Sequence, residues 1–182
     1  MRAWRFLLVL CLAACSPAPS FKGTDISRAS WGGDFNLVSQ TGAPASLALA
    51  RGKVAALFFG YTHCPDICAP TLSKLAQAQA KLGADRFAIF FVTVDPQHDT
   101  PAQLQRFLQR FNAEIVGVTG SADGVRAVAA AYKAAVQPGK AGTIDHAGGV
   151  YLIDKQGKPR VYIAQAALDD ALSHDAGLLL KE

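Results

Sequence analysis

The sequence predicts an α/β domain built on a mixed sheet with helices on both faces. Three observations predict it. Val54 to Phe59 and Phe87 to Val94 are almost unbroken apolar runs, the pattern of strands buried on both faces. Stretches of helical periodicity follow each of them, so strand and helix alternate. The chain then closes with an antiparallel hairpin and one more helix, which makes the sheet mixed. With 182 residues, 51% hydrophobic and 18% charged, the chain is globular and has room for one domain with a substantial core.

The elements follow in order. Residues 1–14 carry Arg2 and Arg5 and then the apolar stretch Phe6 to Ala14, the layout of a signal peptide too short to span a bilayer. The segment ends Leu12-Ala13-Ala14-Cys15, which resembles a bacterial lipobox and implies cleavage before Cys15 and lipidation of its sulfur. Residues 15–30 read as a flexible tether, and residues 31–182 as the domain. Ser16 in place of aspartate favours outer-membrane sorting. The domain is therefore expected in a bacterial envelope, anchored by lipid and facing the periplasm.

Within the domain, Asp34 to Val38, Gln40-Thr41-Gly42 and Ala45 to Leu47 read as strand, turn and return. After the run at 54–59, Pro65 suits a first helical position with Cys64 near the N-cap, and the helix stops at Gly83. Thr100-Pro101 starts a second helix, with Leu104, Phe107, Leu108 and Phe111 on one face. Ile115 to Val118 is a short strand. Val125, Val128, Ala129 and Tyr132 mark a third helix. Gly149 to Asp154 and Arg160 to Ala164 form a hairpin around Lys155-Gln156-Gly157-Lys158. Leu168, Ala171, Leu172, Leu178 and Leu179 mark the last helix.

The charge excludes one class of function. Lys and Arg number 18 against 14 acidic residues, and without Arg2 and Arg5 the count is 16 against 14. No basic run exceeds two residues, which is an ordinary mixed surface and no nucleic-acid footprint.

The cysteines carry the chemistry. Of four, Cys11 lies in the signal segment and Cys15 at the anchor, leaving one pair, Cys64 and Cys68. A close thiol pair in an oxidising compartment serves as a staple, a redox couple or a soft-metal site. Residues four apart share one helix face, and a helix N-terminus stabilises thiolate. Three intervening residues permit a separation wide enough to chelate, and two thiolates select Cu(I) or Zn. A third donor is then needed. His63 is better suited to a positional role, and His98 and His174 to exposed surface. His146 stands apart, in Ile144-Asp145-His146-Ala147-Gly148-Gly149, where glycines allow close backbone approach.

Three separated motifs occur in order: Phe59-Gly60-Tyr61-Thr62-His63-Cys64-Pro65-Asp66-Ile67-Cys68, then Val94-Asp95-Pro96-Gln97-His98-Asp99-Thr100-Pro101, then Asp145-His146 followed by Val150 to Asp154. Across roughly residues 33–165 the chain resembles the Sco/SenC family of copper chaperones. The resemblance implies a thioredoxin-like mixed sheet flanked by helices, with an added N-terminal β-hairpin. It implies copper, Cu(I) or Cu(II), held by Cys64, Cys68 and His146, with Asp95 near the metal but not bound to it. It implies delivery to the CuA-carrying subunit of a respiratory cytochrome c oxidase, with another periplasmic copper chaperone as a further partner. Ala69 stands where the family commonly has proline directly after the second cysteine, and Gln97-His98 where it has Glu-Arg. The loop from Gln137 to Ile144 is short.

Two other readings remain beside copper carriage. Cys64 and Cys68 would be the redox pair of a thiol–disulfide oxidoreductase that reduces a partner's copper-site cysteines. Reductases of this kind carry a cis-proline just before the strand facing the thiols, and here Pro138 lies eight residues ahead of His146. A structural disulfide ranks last, because so short a loop removes little unfolded-state entropy.

Overall fold

Side chains alternate between two cores along the central strands. A computed structural model of the chain describes residues 20–139, 143–146 and 148–182. The expected signal segment, Cys15 and the first part of the tether lie outside those residues. In β4 (Val54–Gly60), Val54, Ala56 and Phe58 enter one core while Ala55, Leu57 and Phe59 enter the other. In β5 (Phe87–Thr93), Phe87, Ile89 and Phe91 face the first core, and Phe90 and Val92 the second. This period of two explains why both strands read as continuous apolar runs.

Three helices cover the first face: α1 (Cys68–Leu82), α2 (Pro101–Leu108) and α4 (Leu168–Leu179). The second face is covered by α3 (Ala122–Ala131), with Phe35, Leu37 and Leu47 beside it. Caps fix two of the starts. The Thr100 hydroxyl accepts from Gln103 N ahead of Pro101, and the Ser121 hydroxyl accepts from Gly124 N.

The eight-stranded sheet contains β1 (Thr24–Asp25), β2 (Leu37–Ser39), β3 (Pro44–Ala45), β4, β5, β6 (Ile115–Thr119), β9 (Val150–Ile153) and β10 (Pro159–Ile163). Their spatial order is β1-β10-β9-β4-β5-β6-β2-β3. β4, β5 and β6 are parallel, and β9 runs antiparallel to β4. The expected hairpin 149–164 is β9 and β10, turned by Asp154, whose carboxylate accepts from Gln156 N and Lys158 N at 3.0 and 2.9 Å. A separate two-stranded sheet pairs β7 (Val136–Pro138) with β8 (Ile144–His146).

Three of the elements read from the sequence differ in the structure. The return at 45–47 is only Pro44–Ala45, followed by a short 3₁₀ helix, Leu47–Ala50, capped by Ser46. The segment 20–30, read as tether, packs on the domain. Phe21 lies against the first core, and Thr24–Asp25 pair with Tyr162 and Val161. The buried Asp175 carboxylate accepts from Lys22 N and Gly23 N at 2.9 and 2.8 Å. Main-chain pairing and the Asp175 carboxylate, together with Phe21 and Ile26 against the two cores, bring this segment into the fold.

The third difference concerns α1, which starts at Cys68 and not at Pro65. Pro70 supplies the reason. In a helix begun at Pro65, residue 70 would have to donate its amide to the Asp66 carbonyl. Proline has no such amide, and its ring clashes with that carbonyl. In a helix begun at Cys68, Pro70 falls in the first turn, where the amide has no partner in any case. The first intrahelical bond here is Thr71 N to Ile67 O, 3.0 Å.

Candidate metal centre

The site lies at the carboxyl ends of the parallel strands, where open α/β sheets place their ligands. Gly60 ends β4 beside Thr93 of β5, and the chain then crosses residues 61–67 to reach α1. Gly60 has a specific task. A Cβ there would sit 2.8 Å from Cys68 Sγ and 2.6 Å from the Phe91 ring. Only glycine lets the second thiol pack against the strand end.

Because α1 starts late, Cys64 lies in the turn before it and not on the face of the helix. Its amide donates to Tyr61 O at 3.2 Å. The turn still brings the sulfurs together. Cys64 Sγ, Cys68 Sγ and a ring nitrogen of His146 all lie within 4.8 Å of one another. Cys68 is fully buried and Cys64 half-buried, and neither is in a disulfide. The expected thiolate stabilisation does not govern Cys68. Burial pushes its thiol well above the ordinary value, the Cys64 thiol and the Asp99 charge add to that, and a bond from the Tyr61 amide opposes it.

His146 arrives on β8, whose position is set by pairing with Val136 of β7. Its Nε2 lies 3.7 Å from Cys68 Sγ. The imidazole meets the Tyr61 ring edge-on at 5.8 Å and the Phe58 ring at 6.3 Å. The Tyr61 hydroxyl also accepts from Ile144 N at 3.3 Å, so one residue both walls the imidazole and holds the strand that carries it. Gly148 supplies the close approach expected of this segment: a Cβ there would lie 2.7 Å from Ile67 Cδ1. The ring thus reaches the thiols despite the small number of residues between Gln137 and Ile144.

The other sequence candidates lie elsewhere. His63 is exposed, its Nδ1 held by the Thr62 hydroxyl at 3.1 Å. His98 is exposed but paired, its Nδ1 2.8 Å from the Asp95 carboxylate, which raises its pKa. Asp95 thus spends its carboxylate on His98 and is not one of the three clustered donors. His174 bonds the buried Asp175 at 2.7 Å. Sequence reasoning missed Tyr61, Thr62 and Asp99. Thr62 Oγ1 and N donate to the Asp99 carboxylate at 2.6 and 2.9 Å, and Thr93 Oγ1 donates to it at 2.6 Å. The one signal available was a threonine at or just beyond the end of each fully apolar strand.

Two sulfurs and one imidazole form a soft, three-donor set suited to copper. A helix-flanked mixed sheet with such a set at its strand ends defines a thioredoxin-like metal-site protein. The SCO1/SenC family model matches residues 23–178. The chain belongs to the SCO1/SenC family. A bovine relative, "Protein SCO2 homolog, mitochondrial", is 35% identical over 143 residues, covering 74% of this chain and 54% of its own length. The chain spans about half the length of the curated relatives it matches first. Among solved structures, Bradyrhizobium japonicum ScoI with copper bound is 32% identical with a TM-score of 0.72, over 84% of this chain and 99% of that one. BsSco, described as having a disulfide switch and as one of the Sco family of cytochrome c oxidase assembly proteins, is 25% identical with a TM-score of 0.68, over 83% and 95%.

Proposed function

We propose that this chain carries copper on Cys64, Cys68 and His146 and delivers it to the CuA site of a respiratory cytochrome c oxidase during assembly. One observation supports this above all: donors from positions 64, 68 and 146 converge within 4.8 Å. A thiol held protonated by burial must give up its proton to solvent when the metal binds, so uptake releases protons and weakens as pH falls. With two thiolates, Cu(I) leaves a local charge of −1 and Cu(II) leaves none, and the imidazole serves both states. Cys64, the more exposed thiol, is where an acceptor's ligand reaches the metal first. The family resemblance also supports Asp95 as a residue near the metal but not bound to it. Residues 1–14 direct export, lipidated Cys15 anchors the chain to a membrane of the bacterial envelope, and the domain faces the periplasm. Another periplasmic copper chaperone supplies the metal.

Anaerobic Cu(I) titration of the reduced chain, with Cys64→Ser, Cys68→Ser and His146→Ala variants, tests the assignment. Stoichiometric binding lost with either cysteine is the expected result. Equally tight binding without both cysteines would overturn it.

The free dithiol favours a second reading, thiol–disulfide exchange. Two electrons and two protons pass to a partner's disulfide, leaving Cys64–Cys68 oxidised and the partner's thiols free. A Cys64–Cys68 couple that no periplasmic dithiol can reduce would exclude this role.

A further inference from the structure

Asp99 is fully buried, yet nothing in the copper chemistry above uses it. Its carboxylate accepts three hydrogen bonds, two from Thr62 and one from Thr93. Both donors stand at strand ends that flank the site. Thr93 closes β5, and Thr62 lies two residues after β4 and two before Cys64. The same Thr62 hydroxyl holds His63 Nδ1 at 3.1 Å, and that nitrogen is 4.0 Å from the carboxylate. Asp99 is fixed in turn by its main chain. Its amide donates to Asp95 O at 2.9 Å, and its carbonyl accepts from Thr119 Oγ1 at 2.9 Å. One buried residue therefore joins the thiol-bearing turn and the end of β5 through its carboxylate, and the end of β6 through its carbonyl.

Burying a carboxylate is costly, and it is tolerated when several donors converge on it. An apolar residue here would fill the same space without that cost. What it would lack is a fixed point for the turn, because Cys64 lies outside α1 and has no helical bond of its own to locate it. The geometry points to Asp99 as the positioning residue for Cys64, acting through Thr62: the carboxylate holds the turn so that the first sulfur stands at chelating distance from Cys68 and His146. This rests on the copper reading for its readout but not for its geometry.

The test compares Thr62→Val, Thr62→Ser and Asp99→Asn with Asp175→Asn, which removes an equally buried carboxylate whose bonds go to Lys22, Gly23 and His174 and not to the thiol-bearing turn. Cu(I) affinity is read by competition with a chromophoric chelator, and the Cu(II) site by its thiolate charge-transfer absorption and EPR. A hydrogen bond to a charged group is lost in Thr62→Val, and affinity should fall about tenfold with a shifted Cu(II) spectrum. Asp99→Asn should lose more. Thr62→Ser should restore both readouts, and Asp175→Asn should lower the melting temperature with spectrum and affinity unchanged. Wild-type affinity and spectrum in Thr62→Val would overturn the proposal, as would an Asp175→Asn effect as large as that of Asp99→Asn. Should the wild-type chain take up no copper, the copper reading falls, and the rate of Cys64 alkylation by iodoacetamide still decides this one. A rate changed in Thr62→Val but not in Asp175→Asn upholds the positioning role, and equal rates in all three proteins sink it.

Discussion

Asp99 and Asp175 are the same device used in two regions. Both are fully buried, and both accept bonds from main-chain amides. Asp175 sits on α4 and fastens residues 22 and 23 to that helix, just before the edge strand β1. Asp99 sits between β5 and α2 and fastens the turn that carries Cys64. The first secures where the folded chain begins, and the second where a donor atom stands. Burial of a carboxylate therefore says that something is being held. The function lies in what is held.

The two regions separate cleanly under mutation. The largest effect is expected at the donors. Replacing Cys64 and Cys68 together by serine should weaken Cu(I) binding at least about a thousandfold, roughly 4 kcal/mol, measured by chelator competition. Serine at buried position 68 puts a hydroxyl into the first core and should also cost about 1–3 kcal/mol of stability, whereas Cys64→Ser alone, at a half-buried position, should leave the melting temperature near that of the wild type. Beside β1, Asp175→Ala leaves two amides without acceptors and should cost about 2–4 kcal/mol in urea unfolding. Copper affinity should stay within about twofold. An Asp175 variant that lost copper would break the comparison.

Gly60→Ala is the substitution expected to move both regions at once. Its Cβ would meet Cys68 Sγ and Phe91, costing about 1–3 kcal/mol of stability by overpacking and displacing the buried sulfur. Paired unfolding and copper titrations check it. The smallest effect is electrostatic. Asp95 raises the pKa of His98 above its ordinary 6.5. The pair thus stabilises the fold at pH below about 6.5 and ceases to do so as pH rises through the folded-state pKa. NMR titration of the His98 ring should show the raised value in the metal-free chain and its return toward 6.5 in Asp95→Asn.

Much of this was legible from residues alone, and the exceptions have physical causes. β4 and β5 were plain because a strand buried on both faces must be apolar throughout. α2 announced itself through Thr100-Pro101 and one apolar face. β1 did not, because Thr24 and Asp25 are exposed and join the sheet only by pairing with β10. The hairpin of β7 and β8 was hidden in the same way, with no buried residue in β7. The start of α1 was misplaced because Pro65 is a good first residue, while the governing constraint, Pro70, lies five positions on. Among site residues, the thiols were legible by spacing. The place of His146 came from its glycines and from the family motif. Asp99 was illegible, because a charged residue in a polar loop reads as solvated until the fold shows threonines closing over it.

The imidazole donor rides on a two-stranded sheet that is separate from the eight-stranded one carrying the thiols' frame. Chelation is therefore divisible into a two-point grip and a third contact supplied at high effective concentration from an independent arm. Displacing that arm by a few ångströms would drop the site from three donors to two without disturbing the main sheet. Three-donor and two-donor arrangements of the site are thus separated by the movement of one small sheet, and the two sulfurs keep their frame in both.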